Sequence, residues 1–206
     1  DVINHLKAIE KNYAGDCVFL KIEDLGKTDN DEFIDLDDYL IKCMIKLYSW
    51  TWLIRDGDND FGKAFINQID NGNIKCIEPI WKALTNDKRF LSLMWELNPN
   101  HPNLLKTVND NTTLSGKVVA KPIIGREGQN INIAYIDNDV SVLASSLGNF
   151  SDEGFIYQEY GPVANTRFGH AVVSTWMVED QFSGIVIRED ELITTGEARI
   201  VPFFVE

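Results

Sequence analysis

The decapeptide KPIIGREGQN occupies residues 121–130 and directly follows the apolar run GKVVA. The apolar run predicts a buried strand, and the proline favours an extended conformation for the lysine before it. The two glycines of the decapeptide allow its backbone to approach a ligand closely, while the lysine and the arginine can neutralise negative charge. The stretch therefore predicts a strand that ends in an anion-binding loop, and a polyphosphate is the natural ligand of such a loop.

Other interpretations of this loop remain open from its residues alone. It is not a Walker loop, because no GK[ST] follows, and it lacks the third glycine of the dinucleotide fingerprint. An ordinary hairpin loop with solvated charges would have the same local pattern. A GXXG clamp for nucleic acid is disfavoured by the acidic Glu127 inside the loop and by the net charge of −13.

Composition excludes several classes of protein. With 206 residues, of which 44% are hydrophobic, the chain can bury a core as one large domain or two small ones. The 32 acidic residues against 19 basic ones argue against a general affinity for nucleic acid or anionic membranes, and no apolar run reaches membrane-spanning length. The three cysteines are widely spaced, without a CxxC pair, which favours a reducing cytoplasm over a disulfide framework.

Hydrophobic periodicity predicts an α+β protein in which helices flank a mixed sheet. Four helices are expected, at residues 1–12, 60–69, 138–147 and between an N-cap at Asn86 and Pro99. Strands are expected at residues 17–22, 39–47, 74–77, 117–122, 131–135, 154–159, 171–178, 182–188 and 198–205. The turn-rich segment NDNTTLSG at residues 109–116 predicts a boundary between a mixed α/β part, 1–108, and a strand-rich nucleotide-binding part, 109–206.

The sequence contains no convincing pattern for a metal-binding site or a catalytic nucleophile. The aspartates at positions 56, 58 and 60 imitate the start of a calcium loop, but Phe61 stands where that loop needs glycine and Asn67 where it needs glutamate. The three histidines are too scattered to form a ligand set, and no serine or cysteine motif indicates a nucleophile. No metal ligands are predicted within this chain.

Six sequence blocks occur in order along the chain: KLYSWTW (46–52), IEPIWKALTNDKRFLSLMWELNPNHPNLL (77–105), VVAKPIIGREGQNI (118–131), IYQEY (156–160), STWMVEDQFSGIVIRE (174–189) and ITTGEARIVPF (193–203). Together they resemble the glutathionylspermidine synthase family and its smaller acid–amine ligase relatives. The resemblance implies an ATP-grasp type of synthetase fold, of which this chain matches the C-terminal part of the core.

The resemblance implies ATP-dependent formation of a carbon–nitrogen bond. A glutathione-like or other peptide carboxylate would be activated as an acyl phosphate, and a polyamine-like amine would then displace phosphate. ATP and Mg²⁺ are the implied cofactors. The family's magnesium ligands and a further catalytic arginine belong to an N-terminal half that this sequence does not match, and the first residue is Asp rather than Met. We therefore expect a fragment that is inactive in isolation; the alternative is a non-catalytic nucleotide-binding or structural module.

The matching blocks also imply roles for individual residues. Arg126 and Arg188 resemble the family's catalytic arginines, which stabilise the transferring phosphoryl group and the intermediate. The implied nucleotide-binding residues fall in the lysine, loop, hinge and wall segments: Lys88, Lys121, Gly125, Glu127, Gly128, Gln158, Glu159, Tyr160, Gly161, Ile193, Thr194 and Thr195.

Overall fold

The computed structural model describes residues 17–55, 60–137, 139–178 and 180–203, and the chain divides into two compact units, residues 1–83 and 84–206. The helix predicted at residues 1–12 lies outside the described residues. The strand predicted at 17–22 is wrong, because residues 17–20 have no regular structure and a 3₁₀ turn follows at Ile22–Asp24. No helix in the described part of the chain is both long enough and apolar enough to cross a membrane.

The first unit combines two short sheets with two helices. Strands β1 (Gly26–Lys27) and β2 (Phe33–Ile34) pair antiparallel, whereas β3 (Cys43–Ile45) and β4 (Lys75–Ile77) pair parallel. The helices are α1 (Trp50–Arg55) and α2 (Asp60–Asp70). The predicted helix at 60–69 and strand at 74–77 are confirmed, whereas only three residues of the strand predicted at 39–47 pair in a sheet.

Aromatic side chains form the core of the first unit. Trp50 is 1% exposed, and the buried rings of Phe33 and Phe65 meet edge to face with their centroids 5.2 Å apart. Helices α1 and α2 approach so closely that a Cβ on Gly62 would lie less than 3.0 Å from the carbonyl oxygen of Leu53. Glycine at this position is therefore required by the helix contact.

A buried lysine connects two of the six sequence blocks. Lys46 is 4% exposed, and its Nζ lies 2.6 Å from the carboxylate of Glu78 and 4.2 Å from the centroid of the Trp50 ring. The indole N–H of Trp50 donates to the carbonyl oxygen of Glu78 at 3.1 Å. The KLYSWTW and IEPIW blocks thus form one polar contact at the edge of the aromatic core.

Two helices precede the sheets of the second unit. Helix α3 (Ala83–Asn86) begins at the last residue of the first unit, and α4 (Arg89–Leu97) follows it. The helix predicted from Asn86 to Pro99 is confirmed in type, but Asn86 ends α3 instead of capping α4. Lys88 is the residue before α4, and its backbone N–H donates to the carbonyl oxygen of Ile123 at 2.9 Å.

A five-stranded antiparallel sheet forms the centre of the second unit. Its strands, in the spatial order β5-β9-β6-β7-β8, are β5 (Thr107–Val108), β6 (Gly116–Pro122), β7 (Asn132–Ile136), β8 (Val140–Ser145) and β9 (Phe155–Glu159). The helix predicted at 138–147 is wrong, because this segment pairs with β7 as strand β8. The expected strands at β6, β7 and β9 are confirmed.

A second antiparallel sheet contains β10 (Ala164–Thr166), β11 (Gly169–Val178), β12 (Gln181–Asp190) and β13 (Arg199–Val201), in that order. Near one end, the carboxylate of Glu189 on β12 accepts hydrogen bonds from Thr166 on β10 and Arg199 on β13. These contacts connect the sheet across β12.

The expected mixture of helices and strands is confirmed, but the strands form several sheets instead of one mixed sheet, and the only parallel pair among the described residues is β3-β4. The boundary between the two units falls in the sequence between residues 83 and 84. It precedes the composition change at 109–116, and β5 belongs to the second unit because it pairs with β9. The division into 1–108 and 109–206 stays a prediction.

Candidate functional site

A cavity of about 370 Å³ lies within the second unit. Its walls come from strands β6, β7 and β9, from the glycine loop after β6 and from the segment after β12. Its volume falls in the range of small-molecule sites, and one part of its lining is charged while another is apolar. It is lined by Lys88, Leu105, Val119, Lys121, Pro122, Gly125, Arg126, Glu127, Gly128, Gln129, Ile131, Ile133, Gln158, Glu159, Tyr160, Gly161, Val163, Leu192, Ile193 and Thr194.

Lys121 brings a cation into the cavity from the end of β6. Its Nζ donates to the side-chain oxygen of Gln158, a buried residue of the neighbouring strand β9, at 2.6 Å. Burial lowers the pKa of Lys121, and the positive charge of Lys88 lowers that pKa further. Lys121 therefore has an uncharged hydrogen-bond acceptor as its partner here, and its charge is available to an anion.

Lys88 is hydrogen-bonded to the segment that leads into the glycine loop. Its backbone N–H donates to Ile123, as described above, and its Nζ donates to the carbonyl oxygen of Gly125 at 2.8 Å. Burial lowers the pKa of Lys88, and the neighbouring Asp87 partly opposes this shift. The start of α4 thus places a second ammonium group beside the loop.

The glycine loop has consecutive residues in the left-handed region. Glu127 has φ 54° and Gly128 has φ 67°, and the backbone N–H of Gln129 closes the turn by donating to the carbonyl oxygen of Arg126 at 3.1 Å. A Cβ on Gly128 would lie less than 3.0 Å from the carbonyl oxygen of Thr194, and one on Gly196 would lie 3.2 Å from the Glu127 carboxylate. The tip of the loop therefore packs against residues 193–196.

The end of the loop is held by the segment between β8 and β9. The hydroxyl oxygen of Ser146 accepts the backbone N–H of Ile131 at 2.9 Å and donates to the carbonyl oxygen of Gly128. The backbone N–H of Phe150 donates to the side-chain oxygen of Asn130 at 2.8 Å. These contacts fix the position at which the loop rejoins the sheet.

Asp190 organises the part of the cavity wall that follows β12. One of its carboxylate oxygens accepts the backbone N–H and the hydroxyl of Thr195, at 2.8 and 2.7 Å, and the other accepts the N–H of Glu191 at 2.8 Å. The hydrogen bonds from Thr195 lower the pKa of Asp190. The turn that they close carries Ile193 and Thr194 into the cavity lining.

Residues 158–161 form a further part of the lining, where β9 ends. The backbone N–H groups of Glu159 and Tyr160 donate to the carbonyl oxygens of Lys106 and Lys117, at 2.9 and 3.0 Å. The Nζ of Lys117 also lies 3.6 Å from the centroid of the Tyr160 ring. This segment is therefore fixed on both sides by neighbouring chain.

The structure brings most of the predicted site residues together. The exceptions are Arg188 and Thr195, which do not line the cavity. Thr195 supports the wall through Asp190, whereas Arg188 is a half-buried residue near the end of β12, an inner strand of the second sheet, where its register partners are Val172 and Ile200. The residues that line the cavity in agreement with the sequence are Lys88, Lys121, Gly125, Arg126, Glu127, Gly128, Gln158, Glu159, Tyr160, Gly161, Ile193 and Thr194. Their roles stay predictions.

Sequence reasoning missed most of the apolar part of the lining, which comprises Leu105, Val119, Pro122, Ile131, Ile133, Val163 and Leu192 in addition to the predicted Ile193. One signal was present in the sequence. Val119 and Lys121 are two residues apart on one strand and so project from the same face of the sheet, which places an apolar side chain beside the cation. Nothing comparable distinguishes the others from core residues.

The donor set of this cavity fits an anion joined to a planar apolar group. Two ammonium groups and the Arg126 guanidinium bring positive charge into the cavity lining. The aliphatic side chains offer contact surface for a ring. Within the described ranges, no group of three or more His, Cys, Asp or Glu side chains is arranged to hold a metal ion.

Comparison with protein families matches residues 2–206 to the family described as glutathionylspermidine synthase preATP-grasp. A putative acid–amine ligase of Haemophilus influenzae is 28% identical over 210 residues, which cover 98% of this chain and 52% of the relative. The chain therefore spans about half the length of this relative.

Two other relatives are longer still. A trypanothione synthetase of Crithidia fasciculata is 36% identical over 126 residues, covering 60% of this chain and 19% of that protein. A bifunctional glutathionylspermidine synthetase/amidase of Escherichia coli is 28% identical over 204 residues, covering 89% of this chain and 32% of that protein. The names of these relatives support a ligase family.

Proposed function

The chain belongs to the glutathionylspermidine synthase family, and we propose that its second unit forms part of the ATP site of an ATP-dependent acid–amine ligase. The observation that carries this proposal is the cavity in which Lys88, Lys121 and Arg126 share one lining with apolar side chains. A chain with a net charge of −13 attracts a polyanion only where local cations are concentrated, and this cavity concentrates three.

Each part of the cavity has a role in this proposal. Lys88, Lys121 and the loop at residues 125–128 would hold the phosphates, and Arg126 would stabilise negative charge that develops on the transferring phosphoryl group. The hinge at residues 158–161 and the wall at residues 193–195 would hold the base. When bound, ATP supplies the phosphoryl group that activates a carboxylate as an acyl phosphate, which an amine then displaces.

We propose that this chain has an ATP-grasp-like organisation and is the C-terminal part of the synthetase core, in keeping with its family match. We propose that the remaining half of the same protein supplies the Mg²⁺ ligands and a further arginine. The substrates would be a glutathione-like or other peptide carboxylate and a polyamine-like amine, in keeping with the names of the relatives. Arg188 would act on the intermediate from strand β12.

Calorimetric titration of the chain with ATP, with and without Mg²⁺, tests the proposal. We expect weak binding with little dependence on the metal. Lys121→Met should weaken binding about tenfold or more, since a desolvated charge contact to phosphate contributes at least about 1.4 kcal/mol. Lys63→Met, at an exposed helix position that does not line the cavity, is the matched control. Absence of ATP binding, or equal effects of the two variants, would reject the proposal.

The position of Arg188 favours a second candidate function, a nucleotide-binding module without catalysis. Arg188 does not line the cavity with Arg126, so a cavity of this shape can bind nucleotide without both arginines. The two functions differ in ADP release by the whole protein with carboxylates and amines. Release that depends on both substrates and is lost in Arg188→Ala supports the ligase, whereas ATP binding without release supports the module.

A further inference from the structure

Thr107 lies next to a residue of the cavity lining, on the short edge strand β5. It is 2% exposed and does not line the cavity, yet it is the register partner of Gln158, which does. Directly paired residues of neighbouring strands project from the same face of a sheet, so the hydroxyl of Thr107 and the carboxamide of Gln158 meet on the cavity face.

A chain of hydrogen bonds runs from Thr107 to the cavity. The side-chain N–H of Gln158 donates to the Thr107 hydroxyl at 2.8 Å, and that hydroxyl donates to the carbonyl oxygen of Leu105 at 3.0 Å. The oxygen at the other end of the Gln158 carboxamide accepts from Lys121 at 2.6 Å. In this series of hydrogen bonds, each side-chain polar atom of Thr107 and Gln158 has a partner of the correct type, which is the requirement for a stable buried network.

The direction of these bonds selects one orientation of the carboxamide. The Thr107 hydroxyl has one proton and uses it in the hydrogen bond that it donates to the Leu105 carbonyl oxygen. The hydroxyl oxygen can therefore only accept a hydrogen bond from Gln158. Gln158 must therefore turn its N–H toward Thr107 and its oxygen toward Lys121. The reverse orientation would place N–H against the ammonium group, with donor facing donor.

We propose that Thr107 is a positioning residue for the phosphate-binding lysine: its hydroxyl fixes the Gln158 carboxamide, and the carboxamide oxygen holds the Lys121 ammonium in the cavity. The inference rests on the proposed function, because it assigns Lys121 to the phosphates of ATP. Thr107 itself does not touch the ligand and acts only through Gln158.

Thr107→Val keeps the shape of the side chain and removes the hydroxyl. We expect it to weaken ATP binding about tenfold in calorimetry, because the Gln158 amide loses its acceptor and can rotate. Thr107→Ser should restore affinity to within about threefold, since it returns the hydroxyl. Thr175→Val, at an exposed strand position of the second sheet, is the matched control and should bind as the wild type does.

A double-mutant cycle separates positioning from a general structural role. In a Gln158→Leu background the hydroxyl has no carboxamide to orient, so Thr107→Val should change ATP affinity by less than about twofold. An effect of the same size in both backgrounds would overturn the inference. It would show that the threonine acts on the fold of the sheet instead of on the carboxamide.

A second measurement requires no nucleotide. Acylation of Lys121 by an amine-specific reagent, followed by peptide mass spectrometry, should become faster in Thr107→Val and not in Thr107→Ser, because the released amine is no longer held by Gln158. Lys88 is the internal reference, since its acceptor is the carbonyl of Gly125. An unchanged rate at Lys121 would refute the role of Thr107 whether or not ATP binds, whereas a wild type that binds no ATP would refute the proposed function.

Discussion

Substitution of Gly128 by alanine should displace the glycine loop at residues 125–128 from residues 193–196 of the cavity wall. The φ of 67° is unfavourable for any residue with a Cβ, at a cost of about 1–2 kcal/mol. The added Cβ would also lie less than 3.0 Å from the carbonyl oxygen of Thr194, a backbone atom that cannot rotate away. Forcing such a contact adds about 1–3 kcal/mol, unless the loop or the wall moves.

Gly116 offers the matched control for this substitution. Its φ is 79°, but nothing lies within 4 Å of the position that a Cβ would take. Gly116→Ala therefore reports the conformational cost alone, and the difference between the two variants reports the contact with Thr194. We expect faster hydrogen–deuterium exchange in peptides from residues 190–196 in Gly128→Ala only, together with weaker ATP binding. Equal exchange and equal affinity in the two variants would refute the packing of the loop against this wall.

Three further predictions concern charge, the first unit and the base of the loop. ATP affinity should fall as the pH rises from about 8 toward the ordinary lysine pKa of 10.5, because the lysines lose their positive charge. The fall should begin below 10.5, since burial lowers the pKa of both Lys88 and Lys121. Calorimetry over this pH range measures the affinity, and a constant affinity would contradict the prediction. Gly62→Ala should lower the free energy of unfolding of the first unit by about 2 kcal/mol or more, because the added Cβ would clash with the backbone of Leu53. Urea denaturation measures this change, and an unchanged midpoint would contradict the close contact between α1 and α2. Ser146→Ala should cost about 1–2 kcal/mol and speed exchange of the amide at residue 131, whose acceptor it removes; unchanged exchange there would argue against this contact.

The elements that could be predicted from sequence are those with a long periodic pattern. Helix α2 and the central strands of the second unit satisfy this condition, and the structure confirms them. The segment at residues 138–147 does not, because six residues of VSVLAS are compatible with a helix or a strand and only pairing with β7 decides between them. The short strands β5 and β10 have no local signal and are likewise set by their neighbours.

The charged half of the candidate site was predictable for a different reason. Glycines and cations beside an apolar strand are unusual enough to be recognised, whereas apolar cavity residues such as Val119 and Leu192 have the same composition as a core. Thr107 was also invisible, because its partner Gln158 lies on a strand distant in sequence. The role of a buried hydroxyl depends on the atoms that surround it, and sequence spacing does not report them.

The lysines of the candidate site differ from a surface lysine of the first unit in the direction of their pKa shifts. In the first unit, the hydrogen bond that Lys27 donates to the carboxylate of Asp31 raises the pKa of Lys27, because the carboxylate stabilises the charged form. In the cavity the shifts have the opposite sign: burial lowers the pKa of Lys88 and Lys121, and the two charges repel each other. Both cavity lysines donate to neutral oxygens, so the fold positions them without neutralising them. If the cavity binds a polyphosphate as proposed, the ligand would bring negative charge beside both ammonium groups and so favour their charged forms. Because the two cations are half-buried and close enough to affect each other, we expect the cavity to prefer a ligand with several negative charges over one with a single charge.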